Sequence, residues 1–152
     1  MRITARVDYA VRAAVELAAA EPGKPVKADT IARAQDIPPR FLDHILASLR
    51  HGGLVQSRRG AEGGHMLAHP PEDISIADVI RSVDGPLASV GGLRPDQLEP
   101  HGTAVALQRV WVAVRTSLRE VLEETTLADV AGGELPEIVE RRSTGDDAWA
   151  PH

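Results

Sequence analysis

Apolar residues recur every three or four positions through most of the first fifty residues, which is the spacing of one buried face of an α-helix. This pattern predicts a first helix over about 4–20, a second over 28–35 and a third over about 39–50. Glu21-Pro22-Gly23 ends the first helix, and Pro38-Pro39 precedes the third. Proline is tolerated there because the first helical turn has no intrahelical use for its N–H.

Two short apolar stretches around a glycine-rich tip follow the third helix. Residues 54–57 and 65–68 predict the two strands of a β-hairpin. Ser75 and Asp78 form the capping-box pattern of a fourth helix over about 75–83. Three helices followed by a hairpin predict a winged helix-turn-helix over 1–83, mainly α with a small β-hairpin wing.

The longest periodic segment comes after a glycine- and proline-rich stretch, 84–102, which we expect to be a loop. Apolar residues in 103–124 step by three and four and form a stripe suited to packing against another helix. The first half of the chain is too small to cover this stripe, so we expect 103–131 to form a homodimer. The alternative is a helix packed wholly on its own domain. The predicted dimer contacts are Leu107, Val110, Trp111, Val114, Leu118 and Val121.

Charge divides the chain into two unlike halves. Residues 1–69 carry ten Lys/Arg against seven Asp/Glu, whereas 70–152 carry seven against fifteen, within a net charge of −5. A basic first half favours a nucleic-acid contact confined to that half, although an ordinary uneven surface would look the same. The acidic end, 132–152, is expected to be a largely mobile tail.

Composition excludes several classes of protein. The chain has no cysteine, which excludes disulfides, thiolate zinc sites and cysteine nucleophiles. No apolar run approaches the roughly 18 residues of a membrane span, and charged residues interrupt any signal-peptide core near the N-terminus. We therefore expect a cytoplasmic protein without a membrane partner. Acids and histidines are present but form no spaced catalytic constellation, so we do not expect an enzyme.

The third helix is the candidate reader of DNA. Arg40, Asp43, His44 and Ala47 share the face opposite the leucines, and Pro39 stands at its start. Arginine can donate two hydrogen bonds to guanine, and aspartate can accept from cytosine. The alternative is that Arg40 and Asp43 simply pair on a solvated face. At the hairpin tip, Arg58, Arg59 and Gly60 suit a phosphate or a narrow minor groove, or else form a plain turn.

Several motifs, in order and without large gaps over about 1–131, resemble those of one family. They are MRITARVDYAVR at 1–12, the segment 37–53, Arg59-Gly60 with Gly63-Gly64, ISIADVI at 74–80, VDGPL at 83–87 and TLAD at 126–129. The pattern is similar to the IscR/NsrR/CymR family, the Rrf-two type of bacterial winged helix-turn-helix regulators. The resemblance implies a homodimeric transcription regulator, expected to be a repressor, that binds a pseudo-palindromic operator in double-stranded DNA.

The signal that such a regulator senses is left open by the residues. Many relatives hold an iron–sulfur cluster through three cysteines in the loop before the long helix, and this member lacks them, so no cofactor is expected. His65 replaces the usual tyrosine of the family without an evident role. A small-molecule effector or a protein partner remains possible. An alternative function is a winged-helix module that binds protein rather than DNA.

Overall fold

The computed structural model describes residues 2–151, and its elements follow the predicted order. The described residues form eight α-helices, one antiparallel hairpin after the third helix, and three short 3₁₀ turns at Pro71–Asp73, Pro95–Gln97 and Gly102–Ala104. The helices and strands are α1 (Ala5–Ala19), α2 (Ala28–Gln35), α3 (Pro39–His51), β1 (Val55–Arg58), β2 (Gly64–Leu67), α4 (Ile76–Asp84), α5 (Leu107–Glu124), α6 (Leu127–Gly132), α7 (Glu137–Ser143) and α8 (Asp146–Trp149).

The core of the molecule is formed by α1, α2 and α3 together with α4 and buried residues of β1 and α6. Thr4 caps α1 by accepting a hydrogen bond from the backbone N–H of Val7 at 3.2 Å. Small alanines on the buried face of α1 let neighbouring helices approach closely, and α3 buries four large aliphatic side chains on its inner face. The inward residues of α3 are Leu42, Ile45, Leu46 and Leu49. The helical spacing read from the sequence is confirmed here.

The hairpin is joined to the helices by a further backbone pairing. β1 and β2 pair antiparallel, with Val55 opposite Leu67 and Arg58 opposite Gly64. Across β2, His65 and Val26 exchange two backbone hydrogen bonds of 2.8 Å. The loop between α1 and α2 therefore holds the base of the wing in place.

The end of α5 is fixed to the start of α4. Ile76 donates its backbone N–H to the carbonyl of Thr125, and Leu127 donates to the carbonyl of Ile74, both at 2.9 Å. Leu127 is fully buried in the same core as α1 and α3. The predicted DNA-binding and dimerisation regions therefore share one core.

The structure differs from the sequence prediction near the beginning of the long helix and at the end of the chain. α5 begins at Leu107 rather than 103, because Gly102–Ala104 forms a separate 3₁₀ turn. The segment expected to be a mobile acidic tail contains α7 and α8. α7 turns two half-buried apolar residues, Ile138 and Val139, inward, while Arg142 donates a hydrogen bond to Glu120 of α5 at 2.9 Å.

Candidate nucleic-acid interface

α3 presents an exposed polar face beside the wing. Pro39 is its first residue, and Arg40, Asp43 and His44 are all exposed. Within residues 2–151 no salt bridge joins Arg40 to Asp43. The structure therefore does not form the alternative in which these two side chains pair with each other. The guanidinium of Arg40 is therefore available for an external acceptor.

Contacts at the two edges of this face orient α3. On the wing side, Arg50 donates a hydrogen bond to Ser57 of β1 at 3.5 Å. On the α1 side, Arg6 donates to Ser48 at 3.1 Å, and Ser48 in turn donates to the backbone carbonyl of His44 at 3.0 Å. These bonds tie both neighbouring elements to the exposed helix, so its side chains project from a fixed support.

An aromatic contact extends the same surface at the start of α3. Phe41 is 53% exposed, and its ring packs edge-on against Tyr9 with the centroids 6.0 Å apart. The guanidinium of Arg12 lies 5.0 Å from the centre of the Tyr9 ring. Sequence reasoning did not single out Phe41, although an exposed aromatic ring can contact a thymine methyl group in the major groove.

The tip of the wing carries unpaired arginines on a tight turn. Arg58 and Arg59 are exposed and make no side-chain hydrogen bond or ion pair within the described chain. Gly63 donates its N–H to the carbonyl of Gly60 at 2.9 Å and closes the turn. A Cβ at Gly63 would lie 2.2 Å from the carbonyl oxygen of Arg58, so the turn requires glycine at this position.

Two lysines that the sequence analysis passed over join the wing. Lys24 and Lys27, from the loop before α2, line a shallow pocket with a volume of about 350 Å³ together with Arg58. Glu62 also lines this surface, and Lys24 donates to Glu21 at 3.2 Å, so carboxylates offset part of the positive charge. The excess of basic residues in 1–69 indicated such a surface, but the pairing of Val26 with His65, which sets the two lysines beside the wing, has no evident sequence pattern.

His65 is a residue of β2 and lies close to Arg50 and Asp43 of α3. Its Nδ1 is buried and has no hydrogen-bond partner among the residues described. Burial, and then the positive charge of Arg50, lower the pKa of His65 below its usual value, while the carboxylate of Asp43 opposes the shift. The lowered pKa favours the neutral imidazole where the wing adjoins α3.

The predicted dimer stripe lies on α5, where no residue is fully buried. Leu107 and Val110 are exposed, at 41% and 52%, and the other four predicted contacts are half-buried. An apolar groove of about 520 Å³ runs along the helix from Val110 to Leu122, and Arg142 of α7 lies at its edge. One copy of the chain thus leaves the start of the stripe exposed and the rest of it only half-buried.

The α3 face, the adjoining hairpin and the long helix with its uncovered stripe define a winged helix-turn-helix protein. The Rrf2 family model, described as an iron-dependent transcriptional regulator, matches residues 3–133. The chain belongs to this family. No helix within 2–151 has both the length and the apolar character needed to cross a membrane.

Named relatives and solved structures agree with this assignment. A helix-turn-helix-type transcriptional regulator of Mycobacterium tuberculosis is 58% identical over 139 residues, which cover 91% of this chain and 86% of the relative. The structure of CymR, the global cysteine regulator of Bacillus subtilis, has a TM-score of 0.73 at 32% identity and covers 88% of this chain and 98% of CymR. T. potens IscR has a TM-score of 0.72 at 30% identity, covering 99% and 97%. These relatives are named for regulation, not for catalysis.

The family description names iron, and the donor set of this chain does not fit a thiolate-held cluster. The chain has no cysteine, and no three His, Asp or Glu side chains of residues 2–151 lie together as metal ligands could. In the loop before α5, Arg94 binds both carboxylate oxygens of Asp96, and these bonds lower the pKa of Asp96. The amide of Gln108 donates to the carbonyl of Leu98 at 2.6 Å. Protein contacts therefore hold this loop.

Proposed function

We propose that the chain is a homodimeric repressor that binds a pseudo-palindromic operator in double-stranded DNA, with α3 in the major groove and the wing on the adjacent backbone or minor groove. The observation that carries this proposal is the set of unpaired arginines, Arg40 on α3 with Arg58 and Arg59 on the wing. Unpaired guanidinium groups on a supported helix and a neighbouring hairpin match the way winged helix-turn-helix proteins contact bases and phosphates.

The role of each group follows from its chemistry. Arg40 lies in the first turn of α3, where a recognition helix comes nearest the base edges, and two of its donors can bind guanine O6 and N7. Pro39, Asp43 and His44 border it on the same end of the helix. Arg58, Arg59 and the backbone at Gly60 suit the phosphates or the negative potential of a narrow minor groove. Lys24 and Lys27 extend the phosphate contacts beside the wing.

The dimer in this proposal pairs α5 with α5 of a second copy. An exposed apolar stripe of this length, with Leu107 and Val110 at 41% and 52% exposure, is favourable to bury because the transfer of apolar surface out of water is the main driving force for association. A two-fold axis through α5 would present two α3 helices to DNA. Operator half-sites about 34 Å apart are then expected.

We also propose that this member binds DNA without a resident cofactor. The contacts of Arg94 with Asp96 and of Gln108 with Leu98 support the loop that cysteine ligands occupy in cluster-holding relatives. Operator affinity should then be the same, within about twofold, for protein prepared with iron, without iron and with a chelator. A change well beyond that range on addition of iron would contradict this part of the proposal.

Selection of duplexes from random DNA, repeated over a range of salt concentrations, tests the function as a whole. A dimeric regulator should enrich a pseudo-palindrome and lose affinity steeply as salt rises, because phosphate binding releases counterions. Transcription in vitro from a promoter carrying the selected site should fall as the protein is added. Enrichment of no motif at low salt would contradict DNA reading and favour a winged-helix module for a protein partner.

A further inference from the structure

A cleft of about 310 Å³ opens where the end of α4 meets α5. It is lined by Arg81 and Arg115 and by the turn that follows α4, Gly85, Pro86 and Leu87. Neither the DNA-contacting face nor the apolar stripe of α5 includes these residues. Two guanidinium groups from different helices therefore line one small cleft away from the proposed operator site.

The two arginines differ in how their donors are used. Arg81 is already paired, because it binds the carboxylates of Asp78, at 3.4 Å, and of Glu123. Arg115 has no hydrogen bond from its side chain within the described residues, although its side chain is only 25% exposed. Its Nε is buried and has no acceptor among the residues that the structure describes.

The nearest carboxylate does not satisfy Arg115. Oδ1 of Asp96 lies 4.0 Å from Nη1 of Arg115, which is beyond hydrogen-bond distance. That carboxylate is instead held by Arg94, whose Nε donates to Oδ1 at 3.0 Å while its Nη2 donates to Oδ2. Arg115 is therefore only partly satisfied: its ion pair with Asp96 is long, and its buried Nε has lost water without gaining a hydrogen bond, which is costly. Such a group is favourable to pair with an anion from outside the chain.

We propose that this cleft binds the oxyanion of a small organic ligand, a carboxylate or a phosphoryl group, with Arg115 as the main contact. The two Nη groups of one guanidinium present parallel donors that match two oxygens of either group. The charge of Arg81 is offset by Asp78 and Glu123, so Arg81 forms a polar wall of the cleft, and Pro86 and Leu87 provide an apolar wall for the rest of the ligand. Glu123 and Asp78 face the same region and limit the charge of the ligand.

The cleft lies where the winged domain meets the long helix, so a ligand bound there would contact both. α4 packs against α1 and α3 of the winged domain, whereas α5 carries the stripe proposed for the dimer. A ligand that contacts both Arg81 and Arg115 therefore bridges these two parts. This inference concerns binding alone and does not depend on the proposed operator or dimer.

The test measures binding of inorganic phosphate and of acetate to the full-length protein, with chloride adjusted to constant ionic strength. Titration calorimetry compares the unchanged protein with Arg115→Gln and with Arg109→Gln, a matched control on the exposed side of the same helix. We expect saturable binding of at least one anion, weakened about tenfold or more by Arg115→Gln, because a fork of charge-assisted bonds is lost. Arg109→Gln should leave the affinity within about twofold.

Three outcomes would overturn the proposal. The first is that neither anion binds saturably to the unchanged protein. Equal affinity of the unchanged protein and both variants is the second, and it would locate the anion elsewhere, for instance on the wing arginines. The third is a dimer that Arg115→Gln dissociates more readily without any effect on anion binding, which would make a carboxylate of the second copy the partner. Should Arg115→Gln fail to fold, Arg115→Lys keeps the charge and removes the fork, and it should still weaken binding.

Discussion

Replacement of Arg40 by alanine separates base reading from folding. Arg40 is exposed, and no group within 2–151 receives a hydrogen bond or ion pair from its side chain. Truncation at such a position changes the free energy of unfolding by no more than about 0.5 kcal/mol. A bidentate contact between arginine and guanine contributes about 1–3 kcal/mol of discrimination. Arg40→Ala should therefore weaken binding to the selected operator by about 5- to 160-fold and leave the melting temperature almost unchanged.

Fluorescence anisotropy with the selected operator and a scrambled duplex, over a salt series, measures this effect. The matched control is Arg141→Ala, because Arg141 is exposed on α7, far along the chain from the winged domain, and loses the same charge. Equal losses on both duplexes, with the salt slope reduced by about 0.9, would show that Arg40 contacts only a phosphate. Unchanged affinity for both would refute a role for Arg40 in DNA binding altogether.

Three further changes test the dimer, the wing and the junction of α4 with α5. Leu118→Asp places an unpaired charge on the proposed dimer stripe, so analytical ultracentrifugation should detect monomers, and a dimer with normal operator affinity would contradict the stripe. Gly63→Ala brings a Cβ to 2.2 Å from the carbonyl oxygen of Arg58, so both melting temperature and operator affinity should fall, whereas Gly132→Ala, whose Cβ meets nothing within 4 Å, should lower neither. Hydrogen bonds from two arginines lower the pKa of Glu123 to about 2, so its stabilisation is complete above pH 4.5 and lost as the pH falls toward 2. In urea titrations the advantage of the unchanged protein over Glu123→Gln should shrink across that range, and a constant difference would refute the assignment.

The winged domain could be predicted from the sequence because its local rules agree with one another. The aliphatic spacing of α3 sets Leu42 and Leu49 inward and leaves Arg40 outward, whatever the rest of the chain does. Ser75 and Asp78 satisfy the first free N–H groups of α4, and this pattern of four residues is readable by itself. The exposed face of α3 and the tip of the wing follow from these elements, so most of the candidate interface could be predicted from the sequence.

What the sequence could not provide depends on contacts between distant residues. The pairing of Val26 with His65 sets the lysines beside the wing, yet neither residue carries a local mark of it. The end of the chain was expected to be mobile because it is polar and acidic, but α7 contacts α5 through an ion pair from Arg142 that no periodicity reveals. The loop 84–102 has no helical or strand spacing in its sequence. Two side-chain hydrogen bonds hold it, from Arg94 to Asp96 and from Gln108 to the carbonyl of Leu98, and neither follows a periodic pattern.

The attachment of α5 at its C-terminal end connects the proposed dimer to the geometry of the operator. Backbone hydrogen bonds of 2.9 Å join 74–76 to 125–127, and Leu127 is buried in the same core as α3. The orientation of α3 relative to α5 is thus fixed by the core and not by a flexible linker. Pairing of two α5 helices then determines the distance between the two recognition helices, and half-site spacing becomes a property of the fold. The cleft at Arg81 and Arg115 lies between α4 and α5, where a bound ligand would change that distance without touching the DNA.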